Sequence, residues 1–166
     1  MKDCYYCEKG EKLNQLMTHI ADMGNASIYL FRDQTHKGKC IVVFNTDHRT
    51  EWYQLNQEEQ SELIYAVAKT AEALHNVFNP DKINYATYGD KVSHLHVHVV
   101  PKYENGPDWG GPFKDDRTPV ILSEEEYNIL MLCQVSGYKR REVSEMLDIP
   151  VGTVTWKNNE ALKKLK

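Results

Sequence analysis

No run of apolar residues in this chain approaches the roughly 18 that a membrane-spanning helix requires. The first residues, Met1-Lys2-Asp3-Cys4-Tyr5-Tyr6-Cys7, hold no apolar segment of the kind a secretory signal needs, so the expected location is the cytoplasm and no membrane partner is expected. No internal repeat or low-complexity tract stands out. Strong charge of either sign is also missing. The net charge is −4, with 13 basic and 17 acidic residues over 1–118 and seven of each over 119–166. Neither part is the basic surface that non-specific DNA binding usually shows. Cysteine is sparse, at Cys4, Cys7, Cys40 and Cys133, and in a reducing compartment a disulfide framework is not expected. Cys40, in the run Cys40-Ile41-Val42-Val43-Phe44, and Cys133, in a helical pattern, read as small core residues.

What is present suits one medium globular domain, or one domain with a small appendage. Hydrophobic residues make up 41% of the chain, and ten tyrosines lead an aromatic content of 10%, which favours a packed core over disorder. Leu13, Leu16, Met17 and Ile20 fall at helical spacing and predict a short helix over Lys9–Met23. Ala26–Phe31 and Cys40–Phe44 predict a hairpin. A long helix opens at Gln57, with Leu63, Ile64, Val67, Ala71, Leu74 and Phe78 on one face, and ends at Asn79-Pro80. Ile83–Tyr88 and His94–Val100 read as two further strands, the last stopped by Pro101. Gly106, Pro107, Gly110, Gly111, Pro112 and Pro119 mark a loop, with a boundary near residue 118. Beyond it lie helical patterns over Ser123–Val135, Arg140–Leu147 and Gly152–Leu165, with a capping box at Ser123 and Glu126. The fold class is therefore α+β over 1–118, followed by a small all-α module over 119–166.

Residues His94-Leu95-His96-Val97-His98-Val99-Val100 alternate strictly. Successive strand side chains point to opposite faces, so the three imidazoles share one face while Leu95, Val97 and Val99 fill the core behind. A solvated face would use Val, Thr or Lys as readily, and a structural metal site is the other bland explanation. Imidazole titrates near pH 6.5, so one ring can be a neutral nucleophile while a neighbour donates a hydrogen bond. Such a ring can attack a phosphorus atom directly, and flanking rings can stabilise the charge that develops. Separately, Cys4-x-x-Cys7 offers two thiolates at zinc-ligand spacing, which histidines would complete to a tetrahedral site. A redox reading wants a βα context that residue 4 lacks.

The strand resembles the motif of the histidine triad (HIT) family, His-φ-His-φ-His-φ-φ, where φ is apolar. Asn84-Tyr85-Ala86-Thr87-Tyr88-Gly89, Pro101-Lys102-Tyr103 and Gly106-Pro107-Asp108-Trp109 are similar to the flanks in bacterial members. Asp33-Gln34 with Gly38-Lys39-Cys40-Ile41-Val42-Val43 resembles the hairpin before the family's long helix. The likeness covers residues 1 to about 115. It implies an antiparallel sheet of about five strands, one long helix and a homodimer. It also implies a nucleotide hydrolase acting at the α-phosphate of dinucleoside polyphosphates or adenosine phosphoramidates, with an AMP-containing substrate. His96 would be the nucleophile, His98 would contact the α-phosphate, and Asp33 would bind the ribose. Asn84, Gly89 and Trp109 would also serve the nucleotide. Many members carry Gln-Ser before the triad, and here those places hold Asp90 and Lys91; Lys91 would neutralise a polyphosphate. A bacterial branch of the family binds structural zinc through such a CxxC, a histidine before the long helix and the first triad histidine. Cys4, Cys7, His48 and His94 fit those places, with His36 the competitor for the third ligand.

The segment from Gly137 to Val154 resembles the helix-turn-helix of region 4 in bacterial sigma factors, together with the preceding Leu122-Ser123 and Ile129-Leu130. The likeness implies that Thr153, Thr155, Trp156 and Lys157 face a DNA major groove, although Trp156-Lys157-Asn158-Asn159 stands where arginines are usual. Packing or protein contact is the competing expectation for this module. A nucleotide sensor acting through the module, and a nucleotidyl transferase, are the alternatives to hydrolysis.

Overall fold

The structure is a computed structural model that describes residues 4–114, 119–135 and 137–164. The chain divides into two compact units, residues 1–117 and 118–166. In the first, helices α1 (Tyr5–Glu8) and α2 (Glu11–Leu16) lead into strands β1 (Met17–Met23), β2 (Ala26–Phe31) and β3 (Cys40–Phe44). Then come the long helix α3 (Gln57–Phe78) and strands β4 (Lys82–Ala86) and β5 (His96–Lys102). The five strands form one antiparallel sheet in the order β1-β2-β3-β5-β4.

The sheet is covered on both sides. Val42, Phe44, Leu95, Val97 and Val99 face α3 and meet its Leu63, Val67 and Leu74. Tyr29, Ile41 and Val43 face the other way and pack under Tyr6, Leu13 and Met17. That two-sided burial is why β3 reads as an unbroken apolar run, with every residue buried. Helix α3 starts where Asn56 accepts the backbone N–H of Glu59 and the Glu59 carboxylate returns to the backbone N–H of Asn56. It stops at Asn79, whose φ of 44° is left-handed, just before Pro80. Gly38 is required by close approach: at φ 81° a side chain there would meet the Phe78 ring at 3.0 Å and Pro101 at 3.2 Å.

Four expectations change. The helix over Lys9–Met23 ends at Leu16. Met17–Met23 pairs with β2, with an irregularity between His19 and Ala21, so strand pairing overrides a helical period that Leu13, Leu16, Met17 and Ile20 satisfy equally well. Ile64 is 56% exposed and leaves the core face of α3, whose buried residues are Leu63, Ala66, Val67, Thr70, Ala71 and Leu74. The third strand ends at Ala86 rather than Tyr88. Strand β5 begins at His96 and runs through Pro101. Past Val99 it pairs with β4 alone, which makes it locally an edge where a residue lacking N–H is tolerated.

The second unit holds α4 (Glu124–Leu130), a π-helical turn over Met131–Val135, α5 (Arg140–Leu147) and α6 (Val151–Lys164). Ser123 and Glu126 form the expected capping box. Ile129, Val143 and Val154 make its centre, with Cys133, Leu147 and Ile149 against them. Asp148, at a φ of 51°, leads the turn into α6. Trp156 is 61% exposed. Lys157 pairs with Glu125, Lys163 with Glu160 and Lys164 with Glu126, so these lysines of α6 are committed inside the unit. The boundary at residue 118 and the helix end at Leu165 lie outside the described residues. Among the described residues, no helix is long and apolar enough to cross a membrane.

Candidate active site and metal centre

The register of β5 puts His96 beside Val43 and His98 beside Ile41, on the sheet face opposite α3. Each is buried, as is His94 just before the strand. The three rings then diverge. His94 Nε2–H donates to the carbonyl oxygen of Phe44 at 2.7 Å. That leaves Nδ1 bearing the lone pair, 3.4 Å from Cys4 Sγ, 3.5 Å from Cys7 Sγ and 3.2 Å from His48 Nδ1. Cys7 Sγ lies 3.2 Å from His48 Nδ1, and the four ligand atoms all fall within 4.8 Å of one another. Zinc bonds of about 2.0–2.3 Å at tetrahedral angles put ligand atoms roughly 3.3–3.8 Å apart. Four of the six ligand-atom pairs, at 3.2–3.5 Å, lie close to that spacing, and the donor set is two sulfurs and two nitrogens. The Phe44 carbonyl orients His94 as the outer partner of a metal-bound imidazole does. Burial pushes the Cys7 thiol up, with Cys4 adding to the effect. His36, the competing ligand, is elsewhere: its Nε2 meets Asp108 Oδ2 at 3.1 Å.

His96 adopts the opposite tautomer. Its Nδ1–H donates to the carbonyl oxygen of His94 at 2.5 Å, so Nε2 carries the free lone pair. Burial holds this imidazole below its ordinary pKa, against the backbone hydrogen bond, which works the other way. The ring is therefore a neutral base or nucleophile near pH 7. His98 stands 5.1 Å from it, ring to ring. A pocket of about 320 Å³ opens over both and is also lined by Tyr6, Phe31, Tyr88, Asp90, Lys91 and Phe113.

Among the nucleotide-site expectations, this pocket gathers Asp90 and Lys91 with His96 and His98. Asn84 opposes Val100, one pair along the histidine face from His98, without lining the pocket. Asp33 Oδ1 accepts from Thr35 N at 3.0 Å and Thr35 Oγ1 at 2.7 Å, closing its own turn. Gly89 borders open space, and Trp109 is 44% exposed; neither lines the pocket. Sequence reasoning missed the aromatic walls. The Tyr6 ring lies 5.2 Å from that of His96, and Phe31, Tyr88 and Phe113 lie 6.3, 5.4 and 5.6 Å from that of His98. Phe31 carried a usable signal: it continues the Tyr29 face of β2, which opposes Ile41 and so looks toward the histidines. Phe113, alone in a glycine- and proline-rich loop, carried little.

Residues 10–105, more than half of the chain, match the HIT domain. The chain is 30% identical over 102 residues to the hit protein of Bacillus subtilis, covering 57% of this chain and 70% of that protein. A histidine triad protein of Sinorhizobium meliloti superposes with a TM-score of 0.67 at 25% identity, over 78% of this chain and 95% of the other. One from Marinobacter aquaeolei shares the fold with a TM-score of 0.64 at 24% identity, over 95% of this chain and 96% of the other. As a family these proteins are nucleotide hydrolases and transferases. The geometry of the histidine strand and the match across β1 to β5 agree: the chain belongs to the HIT domain family.

Proposed function

We propose that the protein hydrolyses nucleotides at the α-phosphate, taking dinucleoside polyphosphates or adenosine phosphoramidates. The observation that carries this reading is the His96 tautomer, with Nδ1–H bound to the His94 carbonyl and the Nε2 lone pair available in a pocket of nucleotide scale. His96 Nε2 attacks the α-phosphorus and an N–P bond forms. The bond to the leaving oxygen or nitrogen breaks, and the leaving atom takes the bonding pair and a solvent proton. Water then attacks the same phosphorus, the N–P bond breaks toward His96, and a nucleoside monophosphate leaves. His98 hydrogen-bonds the phosphoryl oxygens and Lys91 faces the polyphosphate, while Asp90 borders the leaving side. Asp33, Asn84, Gly89 and Trp109 serve the nucleoside only if substrate draws them in, since none lines the pocket.

Cys4, Cys7, His48 and His94 would hold a structural zinc, tying the N-terminal segment to the catalytic strand with no coordination position left open for chemistry. The dimer would form across α3 and the open edge at β4. Exposed Ile64 and Tyr85 line a groove of about 410 Å³ there.

The test is incubation with diadenosine polyphosphates and adenosine phosphoramidate, with products read by mass spectrometry. With adenosine phosphoramidate, hydrolysis gives AMP and ammonia, transfer to added phosphate gives ADP and ammonia, and a sensor leaves the substrate intact; a diadenosine polyphosphate also releases its nucleoside polyphosphate leaving group. AMP formation that His96→Ala abolishes while AMP binding survives is the expected result. Intact substrates with wild-type protein would remove the enzymatic reading.

A further inference from the structure

The segment after β5 is fastened to the β2–β3 hairpin by a buried polar contact that the reaction above does not use. His36 and Asp108 have side chains only 2% and 6% exposed, and His36 Nε2–H donates to Asp108 Oδ2 at 3.1 Å. The same Oδ2 accepts the backbone N–H of Lys114 at 3.0 Å. Lys102, itself buried, donates to the carbonyl oxygens of Asp108 and Gly111. Asp108 has a left-handed φ of 58°, a conformation that a residue other than glycine keeps where its surroundings hold it.

Phe113 sits between these anchors, buried, with its ring edge-on to His36 at 5.9 Å. On its other side the ring lies 5.6 Å from His98 and 5.7 Å from Tyr88. Lys39 Nζ stands over the rings of Phe31 and Phe113 at 4.3 and 5.3 Å. A buried polar contact is by itself weak evidence for anything but its own satisfaction. Here its partners come from two loops, and the residue they trap forms one wall of the pocket.

We infer that His36 and Asp108 are positioning residues: they latch the 108–114 segment down so that Phe113 presses on His98 and sets its ring toward the substrate phosphate. This rests on the reading of His98 as the phosphate-facing imidazole.

The experiment uses full-length protein with His36→Ala, His36→Gln, Asp108→Asn and Phe113→Leu, each in wild-type and His98→Ala backgrounds. The His98 ring-proton NMR signals, assigned by their loss in His98→Ala, report the latch without needing activity. In His36→Ala, Asp108→Asn and Phe113→Leu these signals should move, and kcat on adenosine phosphoramidate should fall about tenfold with KM within about twofold. His36→Gln keeps a side-chain N–H and should recover most of the loss. In the His98→Ala background the same changes should cost less than about twofold, because both act through one ring. Unmoved His98 signals in folded variants, or losses that multiply with His98→Ala, would overturn the inference. If His36→Ala does not fold, Phe113→Leu and His36→Gln carry both readouts. If wild-type protein turns over no nucleotide, the hydrolase reading fails on that result, and the His98 signals still decide the latch.

Discussion

His94 and His96, two residues apart, hold opposite tautomers: His94 gives its Nε2 proton to Phe44, and His96 gives its Nδ1 proton to the carbonyl of His94. One backbone carbonyl on each side decides which nitrogen is free. The free Nδ1 of His94 looks toward two thiols, and the free Nε2 of His96 is left for the pocket. A motif that appears symmetric in sequence thus divides into one ring turned toward the two thiols and one that lines the pocket.

Lys91 lines the pocket beside Asp90, where a polyphosphate tail would run. Lys91→Ala should raise KM for a dinucleoside polyphosphate about tenfold, the loss of one charge-assisted hydrogen bond of roughly 1.5 kcal/mol. KM for adenosine phosphoramidate, which has no such tail, should change less than about twofold. Equal losses on both substrates would remove Lys91 from tail recognition.

Metal analysis of purified protein should find one zinc per chain, reduced by Cys4→Ser. Stripping with a chelator should lower stability by RT ln(1 + [Zn]/Kd), about 2.7 kcal/mol for a site held at a hundredfold its Kd. Thermal unfolding with and without chelator reads this. A metal-free protein that is folded, equally stable and fully active would refute the zinc centre.

Adjacent residues of α3 separate the core from the face proposed above for self-association. Leu63 is fully buried and Leu63→Ala should cost about 2–5 kcal/mol in urea unfolding. Ile64→Ala should change the stability of the monomer by less than about 0.5 kcal/mol while weakening self-association in sedimentation. A large monomer destabilisation by Ile64→Ala would place that side chain in the core instead.

Burial holds the His36 imidazole below its ordinary pKa, aided by Lys39 and Lys102 and opposed by Asp108. The unfolded chain therefore takes up a proton first as pH falls through about 6.5. The His36 contribution is intact above that pH and is lost as pH drops toward the folded value, with a slope of at most about 1.4 kcal/mol per pH unit. Denaturant midpoints from pH 7.5 to 5.5 should fall more steeply for wild type than for His36→Gln. Parallel profiles would contradict this.

Much of this was legible in the sequence because single residues carried it. Alternation placed His96 and His98 on one face, and spacing paired Cys4 with Cys7. Asn79 and Pro80 marked the end of α3, whereas its N-terminal cap, Asn56, is defined by the hydrogen bond it accepts from Glu59. The helix-to-strand change at Met17 was hidden, because one apolar pattern serves both periods and only pairing with β2 decides between them. The His36–Asp108 contact joins residues 72 apart in sequence through two loops, where no periodicity exists to read. Resemblance covered Gly106-Pro107-Asp108-Trp109 as a flank, without signalling that Asp108 meets His36.

The central claim is that His96 Nε2 carries the nucleotidyl group. The most direct measurement is rapid acid-free quenching of a single turnover, followed by intact-mass and peptide mapping. The account predicts a nucleoside monophosphate adduct on the peptide containing His96, mapped to that residue and missing in His96→Ala, which should not turn over. An adduct on another residue, or turnover retained by His96→Ala, would contradict it.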